Sequence, residues 1–134
     1  MAWSATFAPD AGSVRRARAW LDDALVESGV AAAIRDDALL VAGELAGNAV
    51  RHARTEFTVS ACVERETLRI EVFDRDTRPP ALLGLDDDST SGRGLHLVAA
   101  VADDWGWHTA DDDAGVSGKV VWAALRTDQP TPTA

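Results

Sequence analysis

The chain has 134 residues, enough for one domain with a sizeable core, and its 46% hydrophobic content fits a folded globular protein. A formal net charge of −9 argues against general binding to nucleic acid or anionic membranes, both of which call for a basic surface. The single cysteine, Cys62, rules out an intrachain disulfide, and no stretch nears the roughly 18 apolar residues of a membrane span, so a cytoplasmic protein is expected.

In chain order, residues 2–8 alternate weakly and predict an edge strand. Residues 9–13 form a turn in which Ser13 is the expected N-cap of a helix over 14–28. Val14, Ala17, Trp20 or Leu21, Ala24 and Leu25 are its apolar face, and Gly29 is its stop. Arg15, Arg16 and Arg18 lie early in it, as a solvated face or a partner contact.

A second helix is predicted over residues 35–54, with Ala38, Val41, Ala42, Leu45, Ala46, Ala49 and Ala53 at core spacing. Beside that face runs a polar stripe of Asp37, Glu44, Asn48 and Arg51. Glu44 and Asn48 are four residues apart and project one turn apart from one face. A carboxylate there can take a proton from a hydroxyl, and an amide oxygen is a hard donor that suits Mg²⁺. Gly43 and Gly47 each cost a helix interior roughly 0.5–1 kcal/mol, so close approach of a ligand or a packed neighbour is expected there.

Residues 57–63 and 68–73 both alternate and are joined by a short link, which predicts a β-hairpin with Cys62 buried in it. Leu68, Ile70 and Val72 face one way, Arg69, Glu71 and Phe73 the other, and Asp74 ends the strand. A carboxylate at that position can accept from an exocyclic amine or cap the following turn. Residues 75–91 have no regular period, a length that marks a functional or disordered loop. Its acidic run at 86–88, like that at 111–113, lacks calcium-loop spacing and reads as solvated.

Gly92, Arg93, Gly94 and Leu95 open a short helix over 92–101, where backbone N–H groups and a guanidinium fork suit phosphate oxygens. Two last strands are expected at 104–110 and 119–125, then a frayed tail over 127–134. Lys119 can approach a phosphate or stand in solvent, the solvated reading being preferred. His52 can contact a ligand or sit satisfied in the interior; His96 and His108 carry no metal-ligand spacing. The five tryptophans belong to the core or its rim. The order of elements predicts an α+β, two-layer sandwich: a mostly antiparallel mixed sheet with helices on one face.

Taken together these stretches resemble the GHKL (Bergerat-fold) ATPase superfamily, and within it the short anti-sigma-factor serine kinases of actinobacterial type. The likeness runs through four boxes in register. Residues 44–53 (Glu-Leu-Ala-Gly-Asn-Ala-Val-Arg-His-Ala) match the Asn-containing helix box. Residues 71–74 match the strand ending in the adenine-reading Asp. Residues 92–95 match the glycine box that closes the ATP lid. Residues 105–106 and 118–122 match the last two strands.

The resemblance implies ATP and Mg²⁺ as ligands of one domain over residues 1–126. Glu44 is then the general base toward a serine hydroxyl and Asn48 the Mg²⁺ ligand. Asp74 reads adenine, Gly92, Arg93 and Gly94 hold phosphates under a lid over 75–91, and His52, Leu95 and Lys119 complete the nucleotide contacts. The implied partners are a sigma factor and a STAS-type anti-anti-sigma protein, with homodimers usual. Two departures stand out. The family's Asp-x-Gly-x-Gly turn reads Asp74-Arg-Asp76-Thr-Arg78, and the Thr often found after the last glycine box is missing at Lys119-Val120. They leave a second reading open, a non-catalytic regulatory binding module on the same fold.

Overall fold

Alternation builds the sheet, and one face of it carries everything that follows. The computed structural model describes residues 1–80 and 97–128. Its elements are β1 (Ala2–Phe7), α1 (Ala11–Glu27), α2 (Ala32–Asn48) continuing into a π-helical turn (Ala49–Ala53), β2 (Phe57–Glu64) and β3 (Thr67–Asp74). A helical segment over residues 97–101, β4 (Asp104–Asp111) and β5 (Ser117–Arg126) complete them. The strands run in the order β1-β2-β3-β5-β4, and every neighbouring pair is antiparallel. The described sheet is thus wholly antiparallel rather than mixed, and the last strand lies between β3 and β4.

Leu68, Ile70 and Val72 of β3 pair with Leu125, Ala123 and Val121 of β5, and all six are buried on the helix-facing side. Phe57, Val59 and Ala61 of β2 extend the same layer. From the helices come Ala17, Leu21 and Leu25 of α1, Ile34, Ala38, Val41, Ala42, Leu45 and Ala46 along α2, and Ala49 of the π-helical turn. Six of the seven predicted apolar positions of the second helix are buried, and Ala53 is half-buried. Full burial of each large aliphatic side chain stabilises by about 1.5–3 kcal/mol, so this layer fixes where α2 lies over β3. Phe7 stacks on Phe57 at 5.6 Å and meets Trp20 edge-on at 6.3 Å, which ties β1 to α1.

Several sequence-based boundaries move. Asp10, not Ser13, caps α1: its side chain accepts from the Ser13 N–H at 3.0 Å, while Ser13 is buried one turn inside. The second helix begins at Ala32, and its last residues are not α-helical. The Arg54 N–H reaches the Ala49 carbonyl at 2.8 Å, five residues back, and Arg54 turns left-handed at φ 56°. Cys62 is half-buried, on the outer face of the sheet. Trp122 lies on that outer face too, with the Arg69 guanidinium 4.2 Å above its ring.

Of the two helix glycines, Gly43 meets a side chain of α1 and Gly47 the free end of Arg51. A Cβ on Gly43 would sit 3.1 Å from Arg18 Cδ, and one on Gly47 would sit 2.7 Å from Arg51 Nη1. Among the described residues no helix is long and apolar enough to cross a membrane. Residues 129–134 of the expected tail lie outside them.

Candidate functional site

The alternation that buries Leu68, Ile70 and Val72 carries Asp74 onto the same helix-facing row at the end of β3. Register then sets Lys119 of β5 directly opposite. Both side chains are buried, 1% and 2% exposed, and the Lys119 ammonium donates to Asp74 Oδ1 at 3.0 Å. The reading of Lys119 as solvated is therefore corrected: it stands under the helices because β5 pairs with β3. Its ammonium also donates to the Asp76 carbonyl at 3.3 Å.

The chain leaves β3 through two successive Asx turns. Asp74 Oδ1 accepts from the Asp76 N–H at 2.9 Å, and Asp76 Oδ1 accepts from the Arg78 N–H at 2.9 Å. Carboxylates thus shape the bend for which the GHKL pattern uses glycines. The Arg78 guanidinium forks onto both Asp76 oxygens, its Nη2 lying 2.6 Å from Oδ2. The Arg75 N–H donates to Thr55 Oγ1 at 3.0 Å, tying this bend to the segment after the π-helical turn.

Electrostatics differ between the two aspartates. Burial pushes the Asp74 carboxyl above its ordinary range, although the Asp76 N–H and Lys119 oppose that shift. The Arg78 hydrogen bonds hold Asp76 down to about 2. Both of the Asp74 contacts described fall on Oδ1, so Oδ2 keeps its acceptor capacity among the described residues.

Beside this pair, with Lys119 in its wall, lies a cavity of about 210 Å³ lined by His52, Asp76, Arg78, Pro79 and Lys119. The π-helical turn supplies His52, half-buried, to its wall. Glu44 and Asn48 stand one α-helical turn apart, and His52 follows in the π-helical turn. Asn48 is 5% exposed and its amide makes no hydrogen bond among the described residues. Glu44 does not line the cavity. It lines a groove between α1 and α2 of about 280 Å³, with Arg18, Asp36, Gly43 and Arg51 among its neighbours.

The structure therefore brings His52 and Lys119 to one cavity, pairs Asp74 with Lys119, and sets Glu44 at a separate groove, with Asn48 buried one helical turn after Glu44. Gly92, Arg93, Gly94 and Leu95, and most of the predicted lid, lie outside the described residues. Asp76 and Arg78, which line the cavity, were not singled out as site residues. Their signal was their place in the bend where glycines were expected.

A larger hollow of about 310 Å³ lies on the opposite face of the sheet, lined by Trp3, Ser60, Cys62, Arg69 and Glu71 among others. Its two charged groups are paired to each other at 2.6 Å, and no buried carboxylate lies beneath them. The hollow is larger than the cavity beside Lys119, but the chemistry favours the smaller one. Among the described residues no group of three or more His, Cys, Asp or Glu side chains could hold a metal ion.

A family model described as the histidine kinase-like ATPase domain matches residues 7–125. Among solved structures, the chain is similar to the RsbU and RsbW domains of Rv1364c from Mycobacterium tuberculosis, at 20% identity and a TM-score of 0.72. That likeness covers 100% of this chain and 34% of the other, so this chain spans about a third of its length. No curated protein matches.

Proposed function

The chain belongs to the histidine kinase-like ATPase domain family, and from that premise we propose that it binds Mg-ATP at the Asp74–Lys119 cavity and phosphorylates a serine of a protein partner. The observation that carries this reading is Asp74: a carboxylate 1% exposed at a strand end, with one oxygen held by its own chain and the other left to accept. A site built on such an acceptor favours a ligand with an amine and penalises one without it, since the buried oxygen would otherwise stay unpaired.

The roles then divide by element. Asp74 accepts from the exocyclic amine of the base, and His52 and Lys119 wall the cavity. Asn48, buried and with no side-chain hydrogen bond among the described residues, would hold Mg²⁺ by its amide oxygen. When bound, Mg²⁺ neutralises charge on the phosphates. Glu44 takes the proton of a seryl hydroxyl that reaches it from the groove between α1 and α2. Gly92, Arg93, Gly94 and Leu95 hold the phosphates.

On the likeness of the sequence boxes, the partners are a sigma factor, held inactive, and a STAS-type anti-anti-sigma protein, which is the phosphate acceptor. The protein works in the cytoplasm, as a single domain over residues 1–126 that pairs as a homodimer. The test is transfer of γ-phosphate from Mg-ATP to a STAS-domain substrate. Transfer lost in Glu44→Ala while ATP binding survives supports the kinase; absence of ATP binding at millimolar concentration contradicts it.

One observation favours the second reading, a non-catalytic regulatory module. Asp74 Oδ1 is already paired with Lys119, and Arg78 stands with Asp76 where glycines would let a ligand approach the backbone. On that reading ATP binds weakly or not at all, and the partner still binds.

A further inference from the structure

Lys119 has been placed in the wall of the cavity without a task. Its ammonium carries three N–H donors. Two are accounted for, by Asp74 Oδ1 at 3.0 Å and by the Asp76 carbonyl at 3.3 Å. The third has no acceptor among the described residues, and Lys119 lines the cavity. The companion group is Asp74 Oδ2, an acceptor on the same carboxylate. One donor, in the cavity wall, and one acceptor, on the carboxylate paired with it, therefore stand on neighbouring residues fixed by the strand register.

We propose that Lys119 is a base-reading residue, donating its remaining N–H to an unprotonated ring nitrogen next to the amine that Asp74 accepts from. The ligand class that presents such an edge is a 6-aminopurine, read at N1 and N6. A 6-oxopurine presents the reverse: its N1–H would face the ammonium and its oxo group the carboxylate. Lys119 is thus a specificity-determining group for the base and not a phosphate ligand. It replaces, by a charged donor, the hydroxyl that the GHKL pattern supplies with Thr after the glycine box. This inference rests on the nucleotide reading of the same cavity.

The test uses the full chain and two ligands, Mg-ATP and its 1-deaza analogue, in which N1 is replaced by C–H. Calorimetric titration is expected to show saturable ATP binding and an affinity for the analogue lower by about tenfold or more, the usual effect of losing a charge-assisted hydrogen bond in a closed site. Lys119→Met is expected to weaken ATP by a similar factor and to bind the two ligands alike. A Lys119→Met protein that fails to fold leaves the comparison on the unchanged chain to decide. Equal affinity of the unchanged chain for ATP and the analogue overturns the proposal and leaves the nucleotide reading standing. Absence of binding by either ligand overturns both.

Discussion

The two halves of the candidate site are built on opposite plans. At the sheet end, Asp74 and Lys119 are buried, paired across two strands and held by a bend of successive hydrogen bonds. Along α2, Glu44 and Asn48 have no ion pair or side-chain hydrogen bond among the described residues, and Glu44 borders an open groove. A side chain engaged with its own fold cannot be removed without cost, whereas one that faces a groove can. Under the proposed function, recognition belongs to the sheet and chemistry to the helix, so variants at the two ends would separate stability from activity.

The largest stability effect is expected at Asp74. Asp74→Ala leaves a buried ammonium without its carboxylate and is expected to lose about 3–5 kcal/mol in urea unfolding, as well as ATP binding. Replacing both partners by apolar residues, as in Asp74→Leu with Lys119→Met, is expected to recover most of that stability and none of the binding. If the double variant binds ATP, the pair is structural only. Gly118→Ala is next, at about 1–3 kcal/mol. Its Cβ would collide with the Asp74 carbonyl oxygen and come within 2.8 Å of the Phe73 ring.

At the helix end the order of effects reverses. Glu44→Ala is expected to change stability by no more than about 0.5 kcal/mol while lowering phosphate transfer by about 10²–10⁴-fold, measured as single-turnover rate. Equal transfer by Glu44→Ala would move the proton acceptor elsewhere.

A smaller effect follows from Asp76. Its carboxyl is held at about 2, below the unfolded value near 3.9, chiefly by the Arg78 hydrogen bonds. A depressed carboxyl contributes stability that is present above about pH 4 and lost as pH falls toward 2. Arg78→Ala is expected to flatten that part of the acid-unfolding profile, followed by tryptophan fluorescence.

The smallest effect is at Gly47→Ala, where the colliding atom is the free end of Arg51. Arg51 swings aside and helix propensity improves, for a gain of up to about 0.5–1 kcal/mol in thermal unfolding. Gly47→Ala and Gly118→Ala thus carry opposite signs, one at each end of the site.

How legible all this was in the sequence follows the same division. The helix line needs only periodicity, and Glu44, Asn48 and the apolar face of α2 were readable from spacing alone. The two hairpin strands and the place of Asp74 at the end of one were equally local. What was not local was the insertion of β5 between β3 and β4. Neighbour-to-neighbour pairing offers no reason for that crossover, and without it Lys119 has no partner and reads as solvated. The π-helical end of α2 was missed because a five-residue backbone step leaves no mark in an apolar repeat. The cap at Asp10 was missed because Ser13 is an equally good capping type.

Under the proposed function, one nucleotide lies over Asp74 on the helix-facing side of the sheet. Amide chemical shifts of the isotope-labelled chain, followed as Mg-ATP is added, test it most directly. Saturable shifts are expected at Asn48, His52, Asp76 and Lys119, with Ser60, Cys62 and Arg69 on the outer face unmoved. Shifts confined to that outer face, or none at millimolar ATP, would contradict it.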